Sequence, residues 1–175
     1  MERYVIVCLV KGEALKFHES LVGNVCFKFK VNRQKLPCHF TIKAPFETDN
    51  IKKVENLIEE FTKDKTKEDL RIKGFNHFGN RVVYMEVNPS KNAIDLHNNF
   101  IYKLKTLNEI SFKANENKNK VFHCTIVTKF PQEKFSPIWE YINNFYPNFN
   151  TYFDNISILK WNKNKWITYK EFKLK

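Results

Sequence analysis

Two tetrapeptides in this chain of 175 residues pair a histidine with a threonine two positions on. They are His39-Phe40-Thr41-Ile42 and, 84 residues later, His123-Cys124-Thr125-Ile126. In an extended strand residues i and i+2 project from one face, so each tetrapeptide sets an imidazole beside a hydroxyl on a single surface. Brought together, the two pairs would surround an anion with two groups that titrate near neutral pH and two hydroxyl donors. Such a set can move protons on both sides of a phosphodiester without a metal.

The competing chemistries fit less well. Two histidines without an adjoining carboxylate or thiolate fall short of the three or four protein ligands that zinc takes, so no metal site is expected. Cys38 and Cys124 each adjoin a motif histidine, but strand parity turns them to the opposite face. With Cys8 and Cys26 they form no CxxC pair and read as buried thiols of a reducing compartment. His18 and His97 occupy matching points of helix-like segments and read as packed rather than catalytic. His77, at a hairpin tip, either reaches the groove or faces water.

The elements that position the motifs follow from the same offset. Ile51, Val54, Leu57, Ile58 and Phe61 fall 84 residues before Phe135, Ile138, Tyr141, Ile142 and Phe145. Spacings of three, four and seven make each set a helix with one buried face, the first capped by Thr48 or Asp49 and the second admitting Pro131 near its start. Next, Leu70–Phe78 and Arg81–Val87 read as a hairpin through Gly79-Asn80. Asn155–Trp161 and Lys165–Leu174 read as another through Asn162–Asn164. Before each motif, Leu15, His18, Val22 and Val25 repeat the helical spacing of Ile94, His97, Ile101 and Leu104 at an offset of 79. The missing five residues fit the polar run Asn115–Lys120. Each half is therefore helix, motif strand, helix, hairpin, with Tyr4–Val10 as an extra leading strand. The expectation is a single domain over 1–175 with an internal repeat, approximately 11–88 and 90–174.

The paired motifs resemble the HxTx signatures of the two-histidine (2H) phosphoesterase superfamily, which includes 2′-5′ RNA ligase-like proteins and cyclic nucleotide phosphodiesterases. Leu36-Pro-Cys-His-Phe-Thr-Ile-Lys-Ala-Pro-Phe46 is similar to its bacterial branch, while Lys120-Val-Phe-His123 lacks the proline often found before the second histidine. The resemblance implies a bilobal α+β body, mainly antiparallel, with His39, Thr41, His123 and Thr125 on the floor of a central groove. It further implies metal- and cofactor-free chemistry on RNA-derived 2′,3′-cyclic phosphates or 2′-5′ linkages. One histidine would activate water or a ribose hydroxyl and the other protonate the leaving oxygen, with the threonines holding non-bridging oxygens. Hydrolysis and ligation share these proton transfers. A catalytically idle RNA- or nucleotide-binding module is the alternative of another class.

Further contacts come from parity and composition. Lys43 shares the alternation of His39 and Thr41, and Lys129 that of His123 and Thr125, so both are expected at the groove rim on flanking phosphates. Asn32–Lys35 and Asn115–Lys120 would add contacts from loops. Phe46 and Phe130, at equivalent strand exits, are candidate base platforms, as are Phe78 and Trp161 at the hairpin turns. The net charge of +11 suits RNA ends or small nucleotides, although with four arginines among 30 basic residues the lysine excess also reflects an AT-rich composition. Hydrophobic content of 42% and 17 phenylalanines exclude a disordered chain. No run approaches membrane-spanning length and the N-terminus lacks a signal-peptide core. The expectation is a cytoplasmic monomer without an obligate protein partner.

Overall fold

The computed structural model describes residues 1–113, 116 and 120–175. Its elements are β1 (Glu2–Leu9), α1 (Gly12–Phe29), β2 (His39–Thr48), α2 (Ile51–Thr62), β3 (Glu68–Phe78), β4 (Val82–Pro89), α3 (Lys91–Leu104), β5 (His123–Thr128), α4 (Phe135–Ile142), β6 (Asn148–Phe153), β7 (Asn155–Asn162) and β8 (Lys165–Lys173). They form an α+β body with two four-stranded sheets, ordered β2-β1-β7-β8 and β5-β4-β3-β6. Every pairing is antiparallel. Each motif strand is an edge strand, and the two edges are neighbours.

Helix periodicity delivers what the spacings predict. Val54, Ile58 and Phe61 of α2 and Ile138 and Ile142 of α4 are buried in one core with Val22, Val25, Ile101 and Leu104. Ser90 caps α3, its hydroxyl accepting from Ala93 N at 3.1 Å. At α2 the capping position falls to Asn50, without a side-chain bond; Thr48 instead accepts from Asn50 N at 3.0 Å and turns the chain into the helix. The expected turns close both hairpins, with positive φ at Gly79 (51°) and Lys163 (52°).

The topology shows how the strands of the two halves are shared between the sheets. The leading strand is not an accessory: β1 lies at the centre of its sheet, between β2 and β7, as β4 lies between β5 and β3. The strands that follow the second helix of each half cross over, β6 excepted. β3 joins the sheet of the second motif and β7 the sheet of the first. β6, which alternation in Asn148–Phe153 did not announce, forms the outer edge beside β3. Of the polar run Asn115–Lys120, Asn115 and residues 117–119 lie outside the described residues.

Candidate active site

Register places the motif side chains. His39 lies opposite Leu9 and Thr41 opposite Val7 across β1–β2, while His123 lies opposite Glu86 and Thr125 opposite Tyr84 across β4–β5. The alternate residues, Phe40 and Ile42 on one strand and Phe122, Cys124 and Ile126 on the other, enter the core. There the strands meet: the Phe40 and Phe122 rings stand 5.1 Å apart, edge to face. The neighbouring Cys38 thiol and burial together hold the Cys124 thiol well above its ordinary range. Both cysteines are free and buried on the face away from the histidines.

The two imidazoles are held alike. His39 Nδ1 meets the Pro37 carbonyl at 2.6 Å, and His123 Nδ1 meets the Val121 carbonyl at 2.9 Å. A carbonyl only accepts, so each Nδ1 carries the proton and each Nε2 keeps its lone pair. Burial lowers both pKa values; His39 falls to about 4, its neighbour His123 adding repulsion between the charged forms. The unliganded pair is therefore neutral at pH 7. Negative charge brought beside the rings would raise both values again.

Two residues outside the motifs fix the second strand. His18 Nε2 and Gln34 Nε2 both donate to the Thr125 carbonyl, each at 2.8 Å. His18 is 3% exposed and its Nδ1 has no partner among the described residues. On the other side Lys120 Nζ donates to the Ile42 carbonyl at 3.0 Å, and burial pulls its pKa down to about 8. His18 is thus packed, as the helical spacing suggests, but packed against the opposite half's motif; nothing in a helical repeat names that partner.

The walls of the two motifs differ. Beside His123 stand Phe78 (ring centroids 5.0 Å, interplanar 90°) and Tyr84 (5.1 Å), which also pack on each other. Asn76 Nδ2 donates to Glu86 Oε1 at 2.7 Å on the same face. Beside His39 the floor is apolar, formed by Val5, Val7 and Leu159 with Leu9, Leu36 and Trp166 against them. Tyr84 and Glu86 were legible as the outward positions of a strand whose inward positions are Val83, Met85 and Val87.

A family model of the 2′-5′ RNA ligase superfamily matches residues 13–165. The chain belongs to that superfamily. Among solved structures the fold is similar to TT0787 of Thermus thermophilus, with TM-score 0.66, 12% identity and coverage of 98% of this chain and 97% of that one. It is also similar to a phosphoesterase (TM-score 0.63, 11% identity, 99% of each chain). E. coli LigT in complex with 3′-AMP gives TM-score 0.65 at 13% identity, over 99% of this chain and 97% of that one. Direct comparison with curated protein sequences gives no match.

Several contacts expected of a 2′-5′ RNA ligase-like groove are corrected by the register. Lys43 is not on the rim. The β1–β2 register slips directly after Thr41, so Ile42 is the extra residue of a bulge and Lys43 pairs with Ile6 on the core side. There it is 1% exposed and bound to Glu116, with Nζ to Oε1 at 3.0 Å and to Oε2 at 3.2 Å. The same slip follows Thr125, after which Val127 faces the core. Lys129 lies beyond the end of β5, exposed and at φ 56°, so strand alternation does not govern it; it borders a depression with Arg81 and Gln132 at the β3–β4 turn. Phe46 and Phe130 are buried in the core and offer no face to a base. His77 packs edge-on against Phe135 and Trp139 of α4. Of the proposed platforms, Phe78 remains exposed, and Trp161 half-buried. Among the described residues no three His, Cys, Asp or Glu side chains converge as metal ligands, and no helix is long and apolar enough to cross a membrane.

Proposed function

We propose that the chain is a phosphodiesterase that acts without a metal on RNA-derived 2′,3′-cyclic phosphates or 2′-5′ linkages, His39 and His123 exchanging acid and base roles. The observation that carries this reading is the matched tautomer of the two imidazoles: each Nδ1 is tied to the carbonyl two residues upstream, so each Nε2 is offered in the same chemical state. One Nε2 takes the proton from water or from a ribose hydroxyl as its oxygen attacks phosphorus. The other, protonated once the phosphate anion has restored its basicity, delivers a proton to the departing oxygen. Thr41 and Thr125, half-buried beside them, donate to the non-bridging oxygens on which charge accumulates. After one turnover the protons have exchanged places, and either direction of reaction uses the same pair. Membership of the superfamily and a fold like that of LigT, solved with 3′-AMP, support a nucleotide substrate.

The test is incubation in EDTA with 2′,3′-cyclic nucleotides, 2′-5′ dinucleotides and oligonucleotides ending in a cyclic phosphate. Turnover of at least one class, undiminished by EDTA and lost in His39→Ala and His123→Ala, is expected. A strict metal requirement, or full activity in both variants, would overturn the assignment.

A further inference from the structure

The face that carries His39 and Thr41 continues well beyond them. On β1, Val5 and Val7 share that face; on β7, Ser157 lies opposite Val7 and Leu159 opposite Val5. Two residues further along β7, alternation brings Trp161 to the same side, where it pairs with Trp166 of β8. The two indoles stand edge to face at 5.4 Å, half-buried. Trp166 rests on the Val5–Val7–Leu159 floor. Each indole carries a cation: the Arg3 guanidinium lies 5.8 Å from the Trp166 ring and the Lys35 ammonium 5.4 Å from that of Trp161. Both cations are exposed, and neither is ion-paired among the described residues. Glu47, opposite Arg3 across β1–β2, is the one carboxylate in that row. Trp166 N donates to the Lys35 carbonyl at 3.2 Å, tying the segment that leads into His39 to this cluster.

The separation is informative. Four residues of strand and two strand spacings lie between Thr41 and Trp161, roughly 16 Å at a rise of about 3.3 Å and a spacing of about 4.8 Å. A mononucleotide held between the histidines does not reach the indoles. A stacked strand rising roughly 3.4 Å per nucleotide covers the span in about five. Indole faces stack bases of any sequence, and cations beside them meet the phosphates that follow.

We propose that Trp161, Trp166, Arg3 and Lys35 form a second nucleotide subsite for a single-stranded RNA whose terminus occupies the histidine groove. The proposal deepens the catalytic reading above and rests on it for the identity of the polymer. It makes the substrate an oligonucleotide rather than a free cyclic mononucleotide.

Calorimetric titration of the full-length His39→Ala protein with oligoadenylates of two, four, six and eight residues bearing a 3′-phosphate tests it. Affinity should rise with length and level off near six, with quenching of tryptophan emission only for oligomers long enough to reach the indoles. Trp161→Ala should erase about fivefold to a hundredfold of the hexamer's advantage over the dimer, the range measured for one lost stacking partner. Lys35→Glu, an exposed change that spares the floor, should lower the advantage and flatten its salt dependence by about one charge or more. Trp139→Phe, on α4, should alter neither. A hexamer that binds no tighter than the dimer overturns the proposal, as does an advantage untouched by Lys35→Glu. Binding is read here without turnover. A protein that shows the length dependence but cleaves none of the substrates loses the catalytic reading and keeps the subsite; cleavage without length dependence does the reverse.

Discussion

Replacing Lys43 by methionine isolates an ion pair sealed in the core. The ammonium and the Glu116 carboxylate are 1% and 4% exposed, and the carboxylate also accepts from Ala44 N and Lys113 N, each at 2.8 Å. Burial opposes the charge on Glu116, but these backbone bonds and Lys43 together hold its pKa below the ordinary value of 4.5. Methionine fills the stem's volume and leaves the carboxylate buried with two amide donors and no ammonium bonded to it, Lys120 acting only from a distance, which costs about 3–5 kcal/mol. For a chain of this length that is a fall in Tm of roughly 6–20 °C. Because the folded pKa lies below the unfolded one, the pair's contribution is complete above about pH 4.5 and fades as pH falls through the folded value. Urea unfolding at pH 7 with an unchanged m-value, followed by the same measurement on Glu116→Leu and on the double variant, gives the coupling. The double variant should recover most of the loss. A Lys43→Met protein within about 1 kcal/mol of the parent would refute the buried-pair account, as would a Lys43→Met change that costs as much in the Glu116→Leu background as in the parent.

Further outcomes follow from the site. His39→Ala and His123→Ala should each lower kcat/KM on a cyclic phosphate by about a hundredfold or more, and Thr41→Ala and Thr125→Ala by about tenfold to a thousandfold, in steady-state assays. Turnover should trace a bell in pH, since with the phosphate bound one imidazole starts neutral and one protonated; a flat kcat profile from pH 5 to 8 would exclude paired imidazoles. His39 and His97 are buried neutral, burial lowering each pKa to about 4, so their folded values lie below the unfolded 6.5. Their contribution to stability is intact above pH 6.5 and is lost as pH falls towards 4, which chemical denaturation at pH 7, 6 and 5 will show. His18→Phe removes one of two donors to the Thr125 carbonyl and should lower kcat by about threefold to thirtyfold with little change in KM, partly restored by His18→Gln.

The motif histidines and threonines were legible because local alternation alone decides their face, and the core-facing spacings of α2 and α4 were legible for the same kind of reason. Lys43 was not. The parity that correctly grouped His39 with Thr41 ends one residue later, where Ile42 enters as a bulge, and no feature of Thr-Ile-Lys announces a slipped register. The same slip after Thr125 shows that the bulge belongs to the motif, so the isoleucine after each threonine is the residue that resets the strand. Phe46 and Phe130 failed as platforms because equivalence in sequence says nothing about which side of the sheet a strand exit faces. The placement of β1 and the partner of His18 depend on contacts across more than 100 residues, which neither period nor spacing encodes.

The crossing of β3 and β7 bears on how the chain is made. A nascent chain halted at the Gly79–Arg81 turn holds β1 and β2 with an unfilled ladder edge on β1, and β3 with no sheet to join. Native closure waits for the last strands, so folding is late, non-local and slow for the chain's size, and the half-made chain is the species most exposed to aggregation. Once folded, the same crossing makes the turn dispensable. A nick there yields two fragments that each contribute strands to both sheets, and neither can leave without breaking three main-chain ladders, β1–β7, β3–β4 and β3–β6.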